Sequence, residues 1–397
     1  MKVAIVPDTA EGCAGIDRYA RELTTRLIES QAVEEIVLAH SENWPSQAQP
    51  RIEHNQSQKV SELLLPLPKS VFGKELRQLF IAPFVLDRHC SKKTDIVHDL
   101  HHFAPFLLSF GDYKKVVTVH DFTPLVTRWL HPRSRRMSFY IRYIYVLPLI
   151  LRRAHIIIAI SNNTKKDLEK YLGIKSDKIR VVYHGINKNY KPTEDIEKLG
   201  ETKSKYGLNF PFMLGQFTPA PVDNVAILIE AFRQMRANVS DNGSSLGSTK
   251  LVFFGRHYDP AILSEVKKMG LQNEIVFLGY VPESDLPALY GAAQIFVYPS
   301  LYDGFGFPPL EAMACGTPTI VSNVASLPEV VGDCGLMFDP LDAVELAGKM
   351  HTLLLEEDIR SNLAIKGLQR AKEFTWERTA AETLKVYSEL LEPNFKR

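Results

Sequence analysis

The chain has 397 residues and a formal net charge of +1, and its 45% hydrophobic and 23% charged residues make an ordinary soluble globular mixture. That length is too great for one core and predicts two domains, while the charge balance excludes an overall field favouring nucleic acid. Cys13, Cys90, Cys315 and Cys334 are scattered, which excludes a disulfide framework or a zinc ribbon and fits a reduced, cytosolic setting.

The start, MKVAIVPDTAEG, has too short an apolar run for a secretion signal. KVAIVP predicts a buried strand, and GIDRYARELTTRLIES a helix with Ile16, Tyr19, Ala20, Leu23 and Leu27 at helical spacing. Between them lie Gly12 and Gly15. The spacing is not GxGxxG, so a dinucleotide site has weak support, but glycines there let the backbone approach a ligand. Strands follow at EIVLAH, DIVHDL, KVVTVHD, HIIIAIS and IRVVYHG. Alternation of strands and helices predicts a parallel sheet covered on both faces.

His98, His101 and His102 cluster after one strand, and His120 followed by Asp121 closes another. The histidine cluster lacks a ligand set of metal-binding spacing. A lone strand-end histidine is by default a hydrogen-bonded structural residue; in a functional role Asp121 would orient its second ring nitrogen. From Phe122 to Lys166 there is no Asp or Glu, and Arg128, Trp129, Arg133, Arg135, Arg136 and Arg142 fall in this stretch. The pattern fits either a solvated helix face or a patch for an anionic membrane surface. No RNA-binding motif accompanies it. No run reaches the ~20 apolar residues of a membrane-spanning helix.

After Gly185, NKNYKPTEDIEKLGETKSKYGL is polar and aperiodic and is expected to be a linker. The alternation then restarts, with strands at FMLGQF, KLVFFG, EIVFLG and QIFVYPS. The predicted organisation is an N-terminal domain 1–187, a linker 188–207, a second domain 208–375 and a final amphipathic helix, 376–397. In open α/β sheets ligands bind beyond the carboxyl ends of the strands. There the second half carries SLYDGFGFPPLEAMACGTP: Asp303, then Gly304, Phe305 and Gly306, then a helix opened by Pro308 and Pro309 and ending before Gly316 and Pro318. Such a loop offers backbone N–H groups to phosphate or sugar oxygens. Glu311, in or near the first turn, either accepts ribose hydroxyls or merely complements the helix dipole.

The segment Val276–Val331 resembles the donor-binding half of family 4 retaining glycosyltransferases, whose signature is an acid, seven residues, then Glu around Gly-Phe-Gly, here Asp303 to Glu311. LGYVPESDLPALYGAA and EAMACGTPTIVSNVASLPEVVGDCGLMFDP extend the likeness, as do the Gly12 and Gly15 loop, VHDFTP and VVYHGI. The resemblance implies an α/β chain of the GT-B fold, two Rossmann-like doubly wound domains facing across a cleft, with the final helix crossing back to the N-terminal domain. It implies that Glu311 holds the nucleotide ribose, that Asp303, shorter than the usual Glu, sits by the donor sugar, and that the amides of Gly304, Phe305 and Gly306 face sugar and diphosphate. Tyr280 and Val281 fall where the base is contacted, and Gly15 and Gly215 near the diphosphate. His120 would lie against the donor sugar, with Gly12, His102 and Asp121 on the acceptor side.

The family carries cations in the loop before the helix that Asn224 opens. Here Gly215 to Asn224 reads GQFTPAPVDN, with Ala220, Pro221, Val222 and Asp223 at the cationic positions. Three explanations stay open: Arg256 substitutes, a cation comes from the N-terminal domain, or the chain turns over poorly. The resemblance thus implies a metal-independent retaining transferase without a cofactor. It would move a sugar from a nucleotide-diphosphate donor to a glycan or polyprenyl-linked acceptor in polysaccharide, lipopolysaccharide or glycolipid assembly, in the cytoplasm or on the inner face of the plasma membrane. A non-catalytic transferase-like subunit and a sugar-nucleotide epimerase of similar fold are the alternatives.

Overall fold

In the computed structural model the described residues are 1–7, 14–41, 44, 46–52, 54–65, 81–101, 106–127, 130, 141–193, 195–218, 220–237, 245–255, 259–393 and 395. They divide into two compact units, Met1–Gly185 with Thr375–Arg397, and Ile186–Phe374.

The first unit is built on a seven-stranded sheet of order β3-β2-β1-β4-β5-β6-β7. Its strands are β1 (Lys2–Val6), β2 (Glu35–His40), β3 (Val60–Leu64), β4 (Ile96–Asp99), β5 (Lys114–Val119), β6 (Ile156–Ala159) and β7 (Ile179–Val181). Every pairing is parallel. Runs such as IIIA in β6 are buried throughout, as a strand covered on both faces requires. Its longer helices are α1 (Ala14–Glu29), α2 (Ala82–Cys90), α3 (Leu147–Arg153), preceded by a π-helical stretch Ile141–Val146, and α4 (Asn162–Leu172). The start and stop of α4 are legible in its chemistry. Ser161 accepts from the Thr164 amide at 3.0 Å, and Gly173 ends the helix in the left-handed region at φ 61°.

The second unit has a six-stranded parallel sheet of order β10-β9-β8-β11-β12-β13, namely β8 (Phe212–Gln216), β9 (Lys250–Phe254), β10 (Ile275–Phe277), β11 (Ile295–Tyr298), β12 (Thr319–Ser322) and β13 (Leu336–Phe338). In both sheets the order turns back beside the first strand of the unit, which opens a crevice at the strand carboxyl ends. The longer helices are α5 (Ile196–Lys205), α6 (Val225–Ala237), α7 (Pro260–Lys268), α8 (Leu286–Ala292), α9 (Phe307–Ala314), α10 (Leu327–Val331), α11 (Ala343–Leu355) and α12 (Glu357–Ala371). Leu228 and Phe232 of α6 and Leu346 and Met350 of α11 close with Met213, Leu251, Phe253 and Val297 into a core.

The segment expected to be a linker contains α5, which belongs to the second unit. Asp195 caps it, accepting from the amides of Glu197 (3.0 Å) and Lys198 (3.1 Å). Lys205 Nζ and the Tyr206 hydroxyl anchor its far end on Asp285, at 2.6 and 2.7 Å. Its polar composition concealed a helix held by its cap and end contacts more than by an apolar face.

The last helix, α13 (Trp376–Leu391), belongs to the first unit. Trp376, Tyr387 and Leu390 are buried there. Thr379 Oγ1 donates to the Tyr183 carbonyl at 2.8 Å, and Arg180 pairs with Glu389. Gly185 makes the docking sterically feasible: a Cβ there would lie 2.1 Å from the Trp376 nitrogen.

Candidate functional site

The loops after β8 and β11 carry the cation-free segment and the acid-flanked glycine turn that the sequence singled out in the second unit. Asp303 lies in the loop after β11. Its Oδ1 accepts from the amides of Phe305 and Gly306, both at 2.9 Å, and its Oδ2 accepts from the Tyr298 hydroxyl at 2.8 Å. Ser326 Oγ donates to its carbonyl at 2.9 Å. Gly306 makes the turn at φ 100°, where a Cβ would lie 2.8 Å from Leu327 Cδ2. The amides of Phe305 and Gly306, expected to stand free for a ligand, are therefore bound by the loop's own acid. A short carboxylate closes onto amides two and three residues ahead because that ring needs no longer stem.

Helix α9 begins at Phe307, so Glu311 sits in its second turn rather than its first. It is buried, and Tyr290 of α8 donates to Oε2 at 3.1 Å. Phe296 stands between the two tyrosines, edge-on to Tyr290 at 5.2 Å and stacked with Tyr298 at 6.2 Å. One aromatic ladder thus reaches both acids. Burial and the neighbouring carboxylates push both phenols well above their ordinary range, so each is held as a donor.

Gly215 lies inside β8, where a Cβ would come within 2.9 Å of Phe253 and 3.0 Å of Leu228, so its smallness serves core packing. Tyr280 is 59% exposed in the loop after β10, next to buried Val281. The loop after β8 folds onto the Asp303 segment: the Leu301 amide donates to the Val222 carbonyl at 2.7 Å, and Asn224 Nδ2 to the carbonyls of Pro299 (3.1 Å) and Pro340 (2.7 Å). Arg256 lies outside the described residues.

In the first unit His120 follows β5 and is buried. Its Nε2 donates to the Leu100 carbonyl at 2.7 Å, while Asp121 Oδ1 accepts from the Thr123 amide at 2.9 Å. The carbonyl, not Asp121, therefore holds the imidazole. Burial lowers His120 to about 4 and raises Asp121. His184 lies 5.5 Å from the His120 ring and 4.6 Å from Tyr19, which meets His120 edge-on at 5.1 Å. Behind them runs a buried chain. Tyr19 OH meets Thr118 Oγ1 at 2.9 Å, His98 Nε2 meets the same oxygen at 2.8 Å, and His98 Nδ1 meets Tyr387 OH of α13 at 2.6 Å. His98 thus works as an internal clasp apart from any ligand surface. Tyr19, His184, Tyr290 and Tyr298 are not marked as site residues by the sequence; of them only Tyr298, at the end of β11 and five residues before Asp303, stands near its bonding partner in the chain.

Gly15 is the second residue of α1 and is half-buried. Gly12, His102, Arg128, Trp129, Arg133, Arg135 and Arg136 lie outside the described residues, as does the side chain of Arg142.

Two parallel-sheet Rossmann-like units with this arrangement at the strand ends define a GT-B glycosyltransferase. The model for glycosyl transferases group 1 matches residues 211–356, and that for Glycosyltransferase Family 4 matches residues 14–190. O-antigen chain mannosyltransferase B of Escherichia coli is 30% identical over 385 residues, 94% of this chain and 95% of that protein. The chain belongs to glycosyltransferase family 4. The fold is shared with sucrose-phosphate synthase from Thermosynechococcus elongatus (TM-score 0.73, 21% identity, 98% of each chain). It is shared too with Anabaena Alr3699/HepE in complex with UDP and glucose (TM-score 0.70, 18% identity, 98% of this chain and 99% of that one). Neither the non-catalytic nor the epimerase alternative gains support from these relatives.

Proposed function

We propose that this glycosyltransferase moves a mannosyl group, with retention, from a nucleoside-diphosphate mannose to a hydroxyl of a surface-polysaccharide acceptor. The relative named for O-antigen chain mannosyl transfer, similar along nearly the whole chain, supports the sugar. The observation that carries the donor site is Glu311, buried at the carboxyl end of the sheet with one oxygen bound by Tyr290. In this reading Glu311 receives the ribose hydroxyls, and Tyr280 and Val281 meet the base. Asp303 shapes the Gly304–Gly306 loop beside the sugar, and Gly15 and Arg256 keep the donor-binding role that the resemblance implies. His120, with Gly12, His102 and Asp121, serves the acceptor unit.

The nucleoside diphosphate leaves as the acceptor hydroxyl attacks from the same face, and the hydroxyl proton passes to the departing phosphate oxygen. No Asp-x-Asp occurs in the sequence, so the proposed reaction needs no metal or cofactor. The test is transfer from GDP-mannose and UDP-glucose to mannan oligosaccharides, with and without EDTA. Glu311→Gln is expected to weaken donor binding at least about tenfold, since a charged hydrogen bond contributes about 1.5–3 kcal/mol. Transfer unchanged by that substitution refutes the assignment.

We also propose that the acceptor is lipid-linked and that the first unit works on the cytoplasmic face of a membrane. No helix among the described residues is long and apolar enough to cross one. Ile141, Tyr145 and Leu149 are exposed along one helical face, and Arg153 at its end stands 5.4 Å over the ring of Phe110, itself 70% exposed. Apolar side chains rimmed by arginine suit an anionic interface, which the Arg128–Arg142 stretch would reinforce. Failure to sediment with phosphatidylglycerol vesicles at low salt would dispose of this surface.

A further inference from the structure

Asp223 stands where the family resemblance calls for a cation. Its loop is fastened to the Asp303 segment: Leu301 N and Ser300 Oγ both donate to the Val222 carbonyl (2.7 and 3.3 Å), and Asn224, in the left-handed region at φ 55°, bonds the Pro299 carbonyl. Within that fold-back Asp223 Oδ2 accepts from the Thr218 amide at 3.1 Å and from the Thr218 hydroxyl. The residue is half-buried as a whole, but its carboxylate is the desolvated part. Asp303 repels it, and Tyr298, bonded to Asp303, is the other titratable group at the same place. Among the described residues no Lys, Arg or His acts on Asp223.

We propose that Asp223 takes up one proton from solvent when a nucleoside-diphosphate sugar binds the second unit, and that the resulting neutral carboxyl donates a hydrogen bond to a phosphate oxygen. This rests on the donor site proposed above. An ionised Asp223 beside Asp303 and a diphosphate would bring like charges together on a desolvated loop, which disfavours the charged form. Oδ1 has no partner among the described residues, so it can take the proton while Oδ2 keeps both bonds from Thr218. Asp303 is the poorer site for that proton, because both of its oxygens already accept from Phe305, Gly306 and Tyr298. Burial and Asp303 have already lifted Asp223 to about 6, so protonation near neutrality is within reach and the arriving phosphates push the same way. A carboxylic acid held neutral is a hydrogen-bond donor, and it does for a phosphate oxygen part of what a cation would do.

The experiment is calorimetric titration of the full chain with GDP-mannose, and with UDP-glucose as second probe; a sugar-capped diphosphate does not itself titrate near neutral pH. The wild-type affinity is expected to fall about tenfold between about pH 6.5 and 7.5. Heats in phosphate and Tris buffers should report uptake of close to one proton. Asp223→Asn, whose amide oxygen can still accept from Thr218, should abolish both the pH dependence and the proton uptake while melting like the wild type. Flat affinity without proton uptake in the wild type overturns the proposal, as does a variant that keeps both effects. If neither probe binds the wild type at any pH, the donor site falls, and this inference with it.

Discussion

Acidification should loosen the first unit before the second. Burial lowers His98 to about 3 and His120 to about 4, and holds His184 well below its ordinary value, with mutual repulsion adding to His98 and His184. A histidine whose folded pKa is depressed contributes stability that is present above about 6.5 and is lost as pH falls toward the folded value. At about pH 5 each of His98 and His120 costs about 2 kcal/mol, hence about 4 kcal/mol together. That is a large part of a domain's stability of 5–15 kcal/mol. The strain falls on the clasp between His98 and Tyr387, so α13 should release first. Two carboxyls work the other way: burial raises Asp121 in the first unit, which offsets part of the histidine cost there, and Asp223's raised pKa makes the second unit's stability rise as pH falls through about 6. Pulse proteolysis in urea at about pH 7.5 and 5, with fragments assigned by mass spectrometry, follows the units separately. Equal shifts of the two midpoints, or a greater loss in the second unit, would refute the reasoning.

Two substitutions probe single contacts. Gly185→Ala places a methyl 2.1 Å from the Trp376 nitrogen and 2.4 Å from the Thr375 carbonyl carbon, where only backbone could yield; it should displace the start of α13 and raise hydrogen exchange across 376–391. Tyr298→Phe removes the hydroxyl held by Asp303 and should cost the second unit about 1.5–3 kcal/mol in urea unfolding, as for a hydrogen bond to a charged group.

The alternation of strands and helices was readable because parallel strands buried on both faces are apolar throughout, as in β6 and β11. α5 was not, because its stability comes from Asp195 at one end and Asp285 eighty residues on at the other. β3 was missed for a similar reason: an edge strand with exposed Ser61 and Glu62 has no apolar run. The two acids and their turn were visible as a motif, but not their partners. Tyr290 and Tyr298 are ordinary strand and helix tyrosines until the fold brings them to Glu311 and Asp303. The His98 clasp joins residues 289 positions apart, beyond any local pattern.

Asp303 illustrates how one methylene decides a local equilibrium. The family resemblance calls for Glu at the first acid, and a glycine turn at a helix start is a natural anion site. Here the aspartate reaches the Phe305 and Gly306 amides, so the turn closes on itself, with Tyr298 holding the other oxygen. A longer side chain would have to fold back to make the same ring and would lose more rotamer freedom in doing so. Asp303→Glu should therefore free both amides, at a cost of about 1.5–3 kcal/mol for each hydrogen bond to the carboxylate that is lost. Amide exchange by NMR checks this directly: Phe305 and Gly306 should exchange faster in the variant, while Glu311 and the rest of α9 keep their protection. Unchanged protection at 305 and 306 would mean that the backbone, not the acid, sets the turn.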